Sequence, residues 1–463
     1  MHVDRCSDDD FTDSTGLPTQ PSNSLSDMQE LGKKSRRAVT FALERLASKS
    51  AFMVPQSIAE LKLADRQMVE LRLDGDRIVF FSQKGSDHFR SIVQTIWDSD
   101  LYTGDADYAD IWSACRNIFE RSLSRGQLPE SAEELTQLLS REIGSEVHNY
   151  TYAVAIHGIQ LKDVEIMQLG SRSLARSPIS FMEIAGISAD RQDVIDTVET
   201  MGRYKWLIGT ARGTRRVSEK RFRATADLAC GMLAVAAAVM CSRGAEPFHI
   251  GLVLSPEQSH GRAAWLSWTD DSAEAITHQQ FLRAQPFIVD QALCDHLATV
   301  TTFQRAFKLF ESDAPNELEE KIRRSVYWFS DAHRDQNPVM KLVKYWSCIE
   351  IFFTTDEKQV TSAVATGIAV VLVFGGFSFA SLDEYSALKR RAAKLYGQRS
   401  RAVHHGSLEH VSENDVAELS LIAARLIINM LSFVEQGYET ISKVKEQTLR
   451  LSRAMERREK DRK

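Results

Sequence analysis

Hydrophobic residues recur with a helical period through the C-terminal third of the chain. Val339, Leu342 and Trp346 are spaced three or four residues apart, which places them on one face of a helix. Pro315 and Pro338 stand where helices are predicted to begin, because proline suits the first helical turn. The short connections between these helices are typical of an antiparallel bundle. The predicted helices run from Pro315 to Asp331, Pro338 to Phe353, Val360 to Val373, Leu382 to Tyr396 and Val411 to Val434.

The pattern differs in the middle of the chain. From about Asn149, Tyr152, Val154 and Ile156 alternate with small residues, which is the period of a strand. A long apolar helix is predicted from Ser218 to Met240. This mixture predicts an α+β region over 149–305, followed by a helical domain over 310–440. Other extended segments are predicted at 164–169, 204–208, 248–254 and 265–268.

The N-terminal region, 31–148, is predicted to be mainly helical with one β-hairpin. Asp74-Gly75 suits a tight turn, and the apolar residues of Met68–Leu73 and Arg77–Phe80 alternate on either side of it. The predicted fold class is therefore α+β, mostly α. Helices are predicted from Ser86 to Trp97, from Asp107 to Ser122, and from a Ser131–Glu134 capping box to Ile143.

Composition narrows the class of protein. The 463 residues are 43% hydrophobic and 26% charged, which is typical of a globular protein with two or three domains. Residues 1–30 are acidic and polar and predict a disordered tail, and 441–463 predict a charged, solvated tail. The apolar runs Leu228–Cys241 and Gly367–Ala380 are too short to span a bilayer. We therefore expect a soluble, cytoplasmic protein without a membrane partner.

Charge and cysteine content exclude several kinds of site. The net charge of −6 gives no overall nucleic-acid signature, so any such binding needs a local patch. The six cysteines are scattered, without a Cys-x-x-Cys pair, which argues against a zinc site or a disulfide framework. We expect no cofactor and no metal.

A local cationic patch is present between Tyr385 and Leu408, where the chain has no Asp or Glu. Such a patch would attract an anion. It contains His404, a side chain that titrates near neutral pH. A fixed cation beside a proton carrier is what phosphodiester cleavage without a metal requires. The cations are Lys389, Arg390, Arg391, Lys394, Arg399 and Arg401.

Arg399 and His404 are the candidate catalytic pair. On a straight helix they would lie roughly 140° apart, so they are not partners on one face. Gly397 is predicted to let the backbone depart from helical geometry just before Arg399. The alternative is a helix N-terminus with a solvent-facing arginine and a capping histidine.

Glu350 is the predicted partner of Arg399. It falls on the apolar face of the Pro338–Phe353 helix, four residues after Trp346. A carboxylate on that face needs a compensating charge, because an unpaired buried charge is costly. The alternative places Glu350 at the helix edge, in contact with water.

Three blocks of sequence resemble HEPN domains, in particular the Apea-like branch. The resemblance covers about 310–436, and its third block is the most specific. Many nuclease members of the family have Asn, Asp or His directly after the arginine of the motif. This chain departs from that pattern with Ser400, although serine is common at this position in the Apea-like branch. The blocks are Ser325-Val326-Tyr327-Trp328-Phe329-Ser330-Asp331-Ala332, Tyr345-Trp346-Ser347-Cys348-Ile349-Glu350, and Leu395-Tyr396-Gly397-Gln398-Arg399-Ser400-Arg401-Ala402-Val403-His404-His405-Gly406.

The resemblance implies a helical domain that forms a homodimer and brings two Arg-x4-His motifs into one cleft. Active members are metal-independent endoribonucleases, many of them toxins or effectors of anti-phage abortive infection. By this resemblance Arg399 stabilises the phosphate and His404 is catalytic. Glu350, Ser400, His405 and Tyr396 are expected to support them, and Lys389, Arg390, Arg391, Lys394 and Arg401 to bind RNA.

The expected reaction is attack of an RNA 2′-hydroxyl on the adjacent phosphate. Imidazole would transfer the proton, and guanidinium would stabilise the charge on the non-bridging oxygens. A metal site formed by His404, His405 and His410 is not expected, because Glu409 is the only carboxylate close to them in sequence and no cysteine is near. Residues 31–300 would sense a trigger or an antitoxin. The alternatives are a non-catalytic HEPN module for dimerisation and nucleotide or RNA binding, and a purely helical scaffold.

Overall fold

The computed structural model describes residues 30–53, 68–75, 77–188, 190–253, 263–267, 276–280, 284–353, 360–405 and 411–461. The tail predicted over 1–30 lies outside these ranges except for its last residue. The chain divides into two compact units, Met1–His148 and Asn149–Lys463. The described residues are mostly helical with a smaller share of strand, which fits the predicted α+β, mostly α class.

The first unit is helical with a small antiparallel sheet. Its described elements are α1 Lys33–Leu46, β1 Phe52–Met53, β2 Glu70–Leu73, β3 Arg77–Phe81, α2 Gln83–Trp97, α3 Tyr108–Ser124 and α4 Ala132–Gly144. The sheet order is β1-β3-β2, and Leu73 pairs with Arg77 across the Asp74-Gly75 turn. The predicted hairpin is therefore confirmed. Leu46, Phe81, Phe89 and Phe119 are fully buried in the core between these elements.

The cap of α2 differs from the prediction. Ser82 is the N-cap, and its Oγ accepts a hydrogen bond from Gly85 N at 3.3 Å. Ser86, predicted as the cap, is instead buried in the first turn, where its Oγ accepts from Val69 N at 3.1 Å. Ser86 thus connects α2 to the hairpin. The tertiary contact with the sheet, which local sequence does not reveal, decides which serine caps the helix.

The second unit begins with a mixed α/β portion. Its described elements are β4 His148–His157, β5 Ile159–Leu161, β6 Ile166–Leu169, β7 Arg172–Ala175, α5 Ile179–Ile184, α6 Gln192–Thr200, β8 Lys205–Gly213, α7 Arg215–Val239, β9 Gly251–Leu252, β10 Ala263–Ser267, β11 Ile276–Gln280, β12 Phe287–Val289, α8 Gln291–Thr299 and α9 Thr301–Glu311. Five strands form a sheet in the order β6-β7-β8-β4-β9. β5 and β12 pair in parallel, and β10 and β11 form an antiparallel pair. The predicted change from helical to mixed structure near Asn149 is confirmed.

The rest of the second unit is helical. Its helices are α10 Glu317–Arg334, α11 Pro338–Phe353, α12 Val360–Phe374, α13 Tyr385–His405, α14 Glu413–Glu435 and α15 Ile441–Asp461. α10 packs against α11 and α14, and α12 packs against α13 and α15. α7 also packs against α10 and α14, so the mixed portion and the helices share one hydrophobic core. The region predicted as a charged tail is largely α15, which buries Ile441, Val444 and Met455.

Two of the described helices, α7 and α14, are long and apolar enough to cross a membrane by length and composition. In each, most of the apolar window is packed inside the protein, 67% in α7 and 72% in α14. Burial of this kind fits the core of a soluble protein. The apolar character of α7 is explained by its contacts with the sheet on one side and with α10 on the other.

Candidate active site

The candidate site lies on α13, which is one continuous helix from Tyr385 to His405. Gly397 is within this helix, so the predicted departure from helical geometry at Gly397 is wrong. A glycine tolerates helical dihedral angles as well as others, and Leu395 and Gln398, close to it on either side, are good helix formers. The turn before α13 begins with Ser381, whose Oγ and N both bond to the Glu384 carboxylate.

Arg399 forms the predicted ion pair with Glu350. Arg399 Nη2 lies 3.2 Å from Glu350 Oε2, which connects α13 to α11. The side chains are only 22% and 16% exposed respectively. Glu350 is therefore not a water-exposed edge residue, and a guanidinium compensates its charge. The pair holds the Arg399 side chain against the bundle instead of leaving it in solvent.

Tyr396 packs next to the ion pair between Arg399 and Glu350. Its ring meets Trp346 edge to face with centroids 5.1 Å apart, and the Cζ of Arg399 lies 5.7 Å from the Tyr396 centroid. The pKa of Tyr396 is raised, first by burial and then by the charge of Glu350 and a hydrogen bond to it. Tyr396 thus stays protonated and donates to the carboxylate. Arg399 is fixed by a carboxylate, an aromatic ring and the α11 surface.

The backbone positions of Arg399 and His404 lie on different sides of α13. Because the helix is continuous, the five steps from position 399 to position 404 place them roughly 140° apart around its axis. The side chains of His404 and His405 lie outside the described residues. Ser400 is half-buried beside Arg399. Within one protomer the described geometry places Arg399 and Glu350 together, and leaves position 404 on another side of the helix.

The cationic patch is partly neutralised by carboxylates from other helices. Arg391 bonds to Asp415 and Glu418 of α14, with Nη2–O distances of 2.7 and 2.6 Å, and these bonds raise the pKa of Arg391. Lys389 Nζ lies 4.0 Å from Glu456 of α15. Arg391 therefore serves as an interhelix connection, and its predicted place in an RNA-binding set is not favoured by its surroundings.

The other three cations of the patch remain exposed. Arg390, Lys394 and Arg401 are all solvent-exposed, and no ion pair to any of them occurs among the residues that the structure describes. These three side chains therefore keep a net positive charge at the surface of α13.

Among the described residues, no group of three or more His, Cys, Asp or Glu side chains is arranged to hold a metal ion. Cys115, Cys230 and Cys348 are buried, and burial raises the pKa of each thiol, to about 12 for Cys348. Thiols of this kind stay protonated and are poor nucleophiles.

A histidine cluster that the sequence did not predict lies between the sheet and α10. The rings of His157 and His249 stack with centroids 4.7 Å apart, and His333 Nε2 accepts a hydrogen bond from Ile250 N at 2.7 Å. Burial is the main cause that lowers the pKa of His333 well below its ordinary value. His333 is therefore neutral and holds the segment before β9. The three histidines come from distant parts of the chain, so no local pattern could have grouped them.

Comparisons with family models, with curated proteins and with solved structures found no match.

Proposed function

We propose that this chain is a metal-independent endoribonuclease of the HEPN type, with Arg399 and His404 as its catalytic pair. The observation that carries the proposal is the arrangement around Arg399. A guanidinium held by Glu350 and Tyr396 lies on the same helix as His404. The surrounding helices and the exposed cations of α13 supply a setting in which an RNA phosphate would be attracted.

The proposed reaction is transfer of the phosphodiester to the neighbouring 2′-oxygen. The imidazole of His404 takes the proton of the 2′-hydroxyl as that oxygen attacks phosphorus. The bond from phosphorus to the 5′-oxygen breaks, and the leaving oxygen receives the proton that the imidazolium now carries. A guanidinium stabilises the non-bridging oxygens as they gain charge. The products are a 2′,3′-cyclic phosphate and a 5′-hydroxyl.

Association of two chains is part of this proposal. Positions 399 and 404 of one α13 lie roughly 140° apart around the helix axis, so one helix alone does not present both groups to one phosphate. A homodimer that places two α13 helices side by side would combine groups from both copies. We propose a toxin or anti-phage effector in the cytoplasm, with residues 31–305 responding to a trigger or an antitoxin.

The test is cleavage of 5′-labelled RNA by the purified full chain in the presence of EDTA. Wild type is expected to cleave the RNA and to leave 2′,3′-cyclic phosphate ends. His404→Ala and Arg399→Ala are expected not to cleave it. Arg324→Ala is the matched control, because Arg324 is an exposed arginine on α10. RNA lacking the 2′-hydroxyl at the cut position is expected to resist. A requirement for Mg²⁺, or cleavage that persists in His404→Ala, would refute the proposed chemistry.

A second candidate is a non-catalytic HEPN module for dimerisation and nucleotide or RNA binding. The observation that favours it is the separation of positions 399 and 404, which lie roughly 140° apart around α13, so that within one chain Arg399 is not beside position 404. This candidate predicts RNA binding without cleavage, and growth that is the same on induction of wild type and of His404→Ala. Growth arrest by wild type alone would favour the ribonuclease.

A further inference from the structure

Four residues of α13 form one row on its surface. Arg390, Lys394, Gly397 and Arg401 are spaced four, three and four residues apart, which places them on one side of the helix. The three charged members are exposed. From Arg390 to Arg401 the helix rises by eleven steps of about 1.5 Å, so the row is about 16 Å long. Arg399 is on the opposite side, against α11.

This row differs in charge from its neighbours on the same helix. Arg391 is compensated by Asp415 and Glu418, and Lys389 approaches Glu456. Among the described residues no carboxylate pairs with the cations of the row. Like charges four residues apart disfavour a helix slightly, so an uncompensated row has a cost that a bound anion would remove.

Gly397 is the second observation, because the packing around it does not require a glycine. A glycine inside a helix costs about 0.5–1 kcal/mol relative to alanine. At Gly231 of α7 an added Cβ would lie 2.9 Å from Val326 Cγ1, and at Gly367 of α12 it would collide with the Phe353 ring. At Gly397 it would meet, among the described atoms, Arg401 Nη1 alone, at 3.7 Å. The first two glycines are explained by packing, and Gly397 is not.

We propose that this row binds the sugar-phosphate backbone of single-stranded RNA, with Gly397 as the gap into which the backbone fits. Lys394 and Arg401 flank the gap, and Arg390 continues the row by one turn. Along the helix axis Arg390 and Lys394 are about 6 Å apart and Lys394 and Arg401 about 10.5 Å apart, so the row presents positive charge along one line to a chain of phosphates. The absent side chain lets the strand approach the helix between the two cations. The proposal rests on the proposed function for the identity of the ligand.

The row also assigns different tasks to the two arginines of the third block. Arg399, held by Glu350, belongs to the proposed catalytic pair and lies on the opposite side of α13, whereas Arg401 contacts the phosphates of the strand along the row. The backbone of position 404 is three residues beyond Arg401, next to the row. RNA held by the row would therefore pass along the side of α13 that carries position 404.

The test measures binding of a labelled 2′-fluoro oligouridylate, which has no attacking hydroxyl, to the full chain by fluorescence anisotropy over a salt series. Each of Arg390→Gln, Lys394→Gln and Arg401→Gln is expected to flatten the slope of log affinity against log salt by about 0.7, the value for one lost phosphate contact on a single strand. Arg324→Gln carries the same charge change on α10 and is expected to leave the slope unchanged.

Gly397 variants separate binding from folding. Gly397→Ala is expected to raise Tm by about 1–3 °C, because alanine favours the helix. Gly397→Gln adds no charge, and glutamine suits a helix, but its side chain fills the gap. We therefore expect the affinity for the oligouridylate to fall about tenfold or more, which corresponds to about 1.4 kcal/mol. Wild-type affinity in folded Gly397→Gln, or unchanged salt slopes in the three charge variants, would overturn the proposal.

The outcomes also distinguish this proposal from the proposed function. If wild type cleaves RNA and the row variants bind RNA as wild type does, the proposed ribonuclease activity is supported and the row is excluded as its RNA-binding surface. If RNA binding depends on the row but wild type does not cleave RNA, the row is supported as a binding surface and the proposed ribonuclease activity is refuted. A glutamate-rich peptide that binds as tightly as the oligouridylate would overturn RNA as the ligand.

Discussion

Replacing Arg399 should destabilise the second unit even before any effect on activity is considered. In Arg399→Met the carboxylate of Glu350, only 16% exposed, loses the guanidinium that lies 3.2 Å from it. Removing one partner of a fully buried ion pair costs about 3–5 kcal/mol. Both side chains here retain some contact with water, and Tyr396 still donates to Glu350. We therefore expect a loss of about 2 kcal/mol.

The partner substitution should be milder, and the two should not add. Glu350→Gln keeps an acceptor for Tyr396 and removes the charge, at a cost of about 1 kcal/mol. The double variant no longer contains a buried, uncompensated charge. Its cost should therefore be smaller than the sum of the two single costs by about 1–2 kcal/mol.

The assay is urea unfolding followed by far-UV circular dichroism, with the transition of Asn149–Lys463 fitted separately because a chain of two units need not unfold in one step. The matched control is the exposed pair Glu320 and Arg324 on α10, for which coupling of about 0.3–0.5 kcal/mol is expected. Coupling between Glu350 and Arg399 no larger than in that control would refute the reasoning. It would mean that the ion pair does not fix Arg399.

Three further outcomes are expected, each measured by urea unfolding. Ser82→Ala should cost the first unit about 1 kcal/mol through loss of the α2 cap. Asn429→Leu should cost the second unit about 2–3 kcal/mol, because Phe377 N, now 2.9 Å from Asn429 Oδ1, would lose its acceptor in a partly buried site and Val371 O would lose the Asn429 amide donor in a buried one. Stability should fall by up to about 1.4 kcal/mol per pH unit as the pH drops below about 6.5, because the depressed pKa of His333 lets the unfolded chain bind more protons. His333→Gln, whose amide oxygen still accepts from Ile250 N, should flatten that dependence, and an equally steep profile in the variant would exclude His333 as its cause.

Local sequence was sufficient to predict an element or a contact where a short sequence pattern is compatible with few structures. Asp74-Gly75 between alternating apolar residues predicted the β2–β3 hairpin, and Pro338 predicted the start of α11. The pairing of Glu350 with Arg399 was also predicted, because a carboxylate on an apolar helix face requires a cation. Each of these inferences depended on neighbours in sequence or on one strong electrostatic requirement.

Local sequence failed where a distant segment supplied the partner. Ser86 looked like a helix cap, but its hydroxyl bonds to Val69 across the fold. Gly397 looked like a break, yet α13 continues through it because the flanking residues and the bundle maintain the helix. The histidine cluster gave no signal at all, since its members approach each other only when β9 meets α10.

The charge of α13 shows what the sequence determines and what the tertiary structure determines. The sequence by itself determined a basic stretch without Asp or Glu from Tyr385 to Leu408, and it predicted a carboxylate as the partner of Arg399. The tertiary structure decided which cations remain uncompensated, because α14 and α15 supply carboxylates to Arg391 and Lys389 but not, among the described residues, to Arg390, Lys394 and Arg401. The physical reason is that electrostatic energy depends on distance in space, and helical packing brings charges together that the chain keeps far apart.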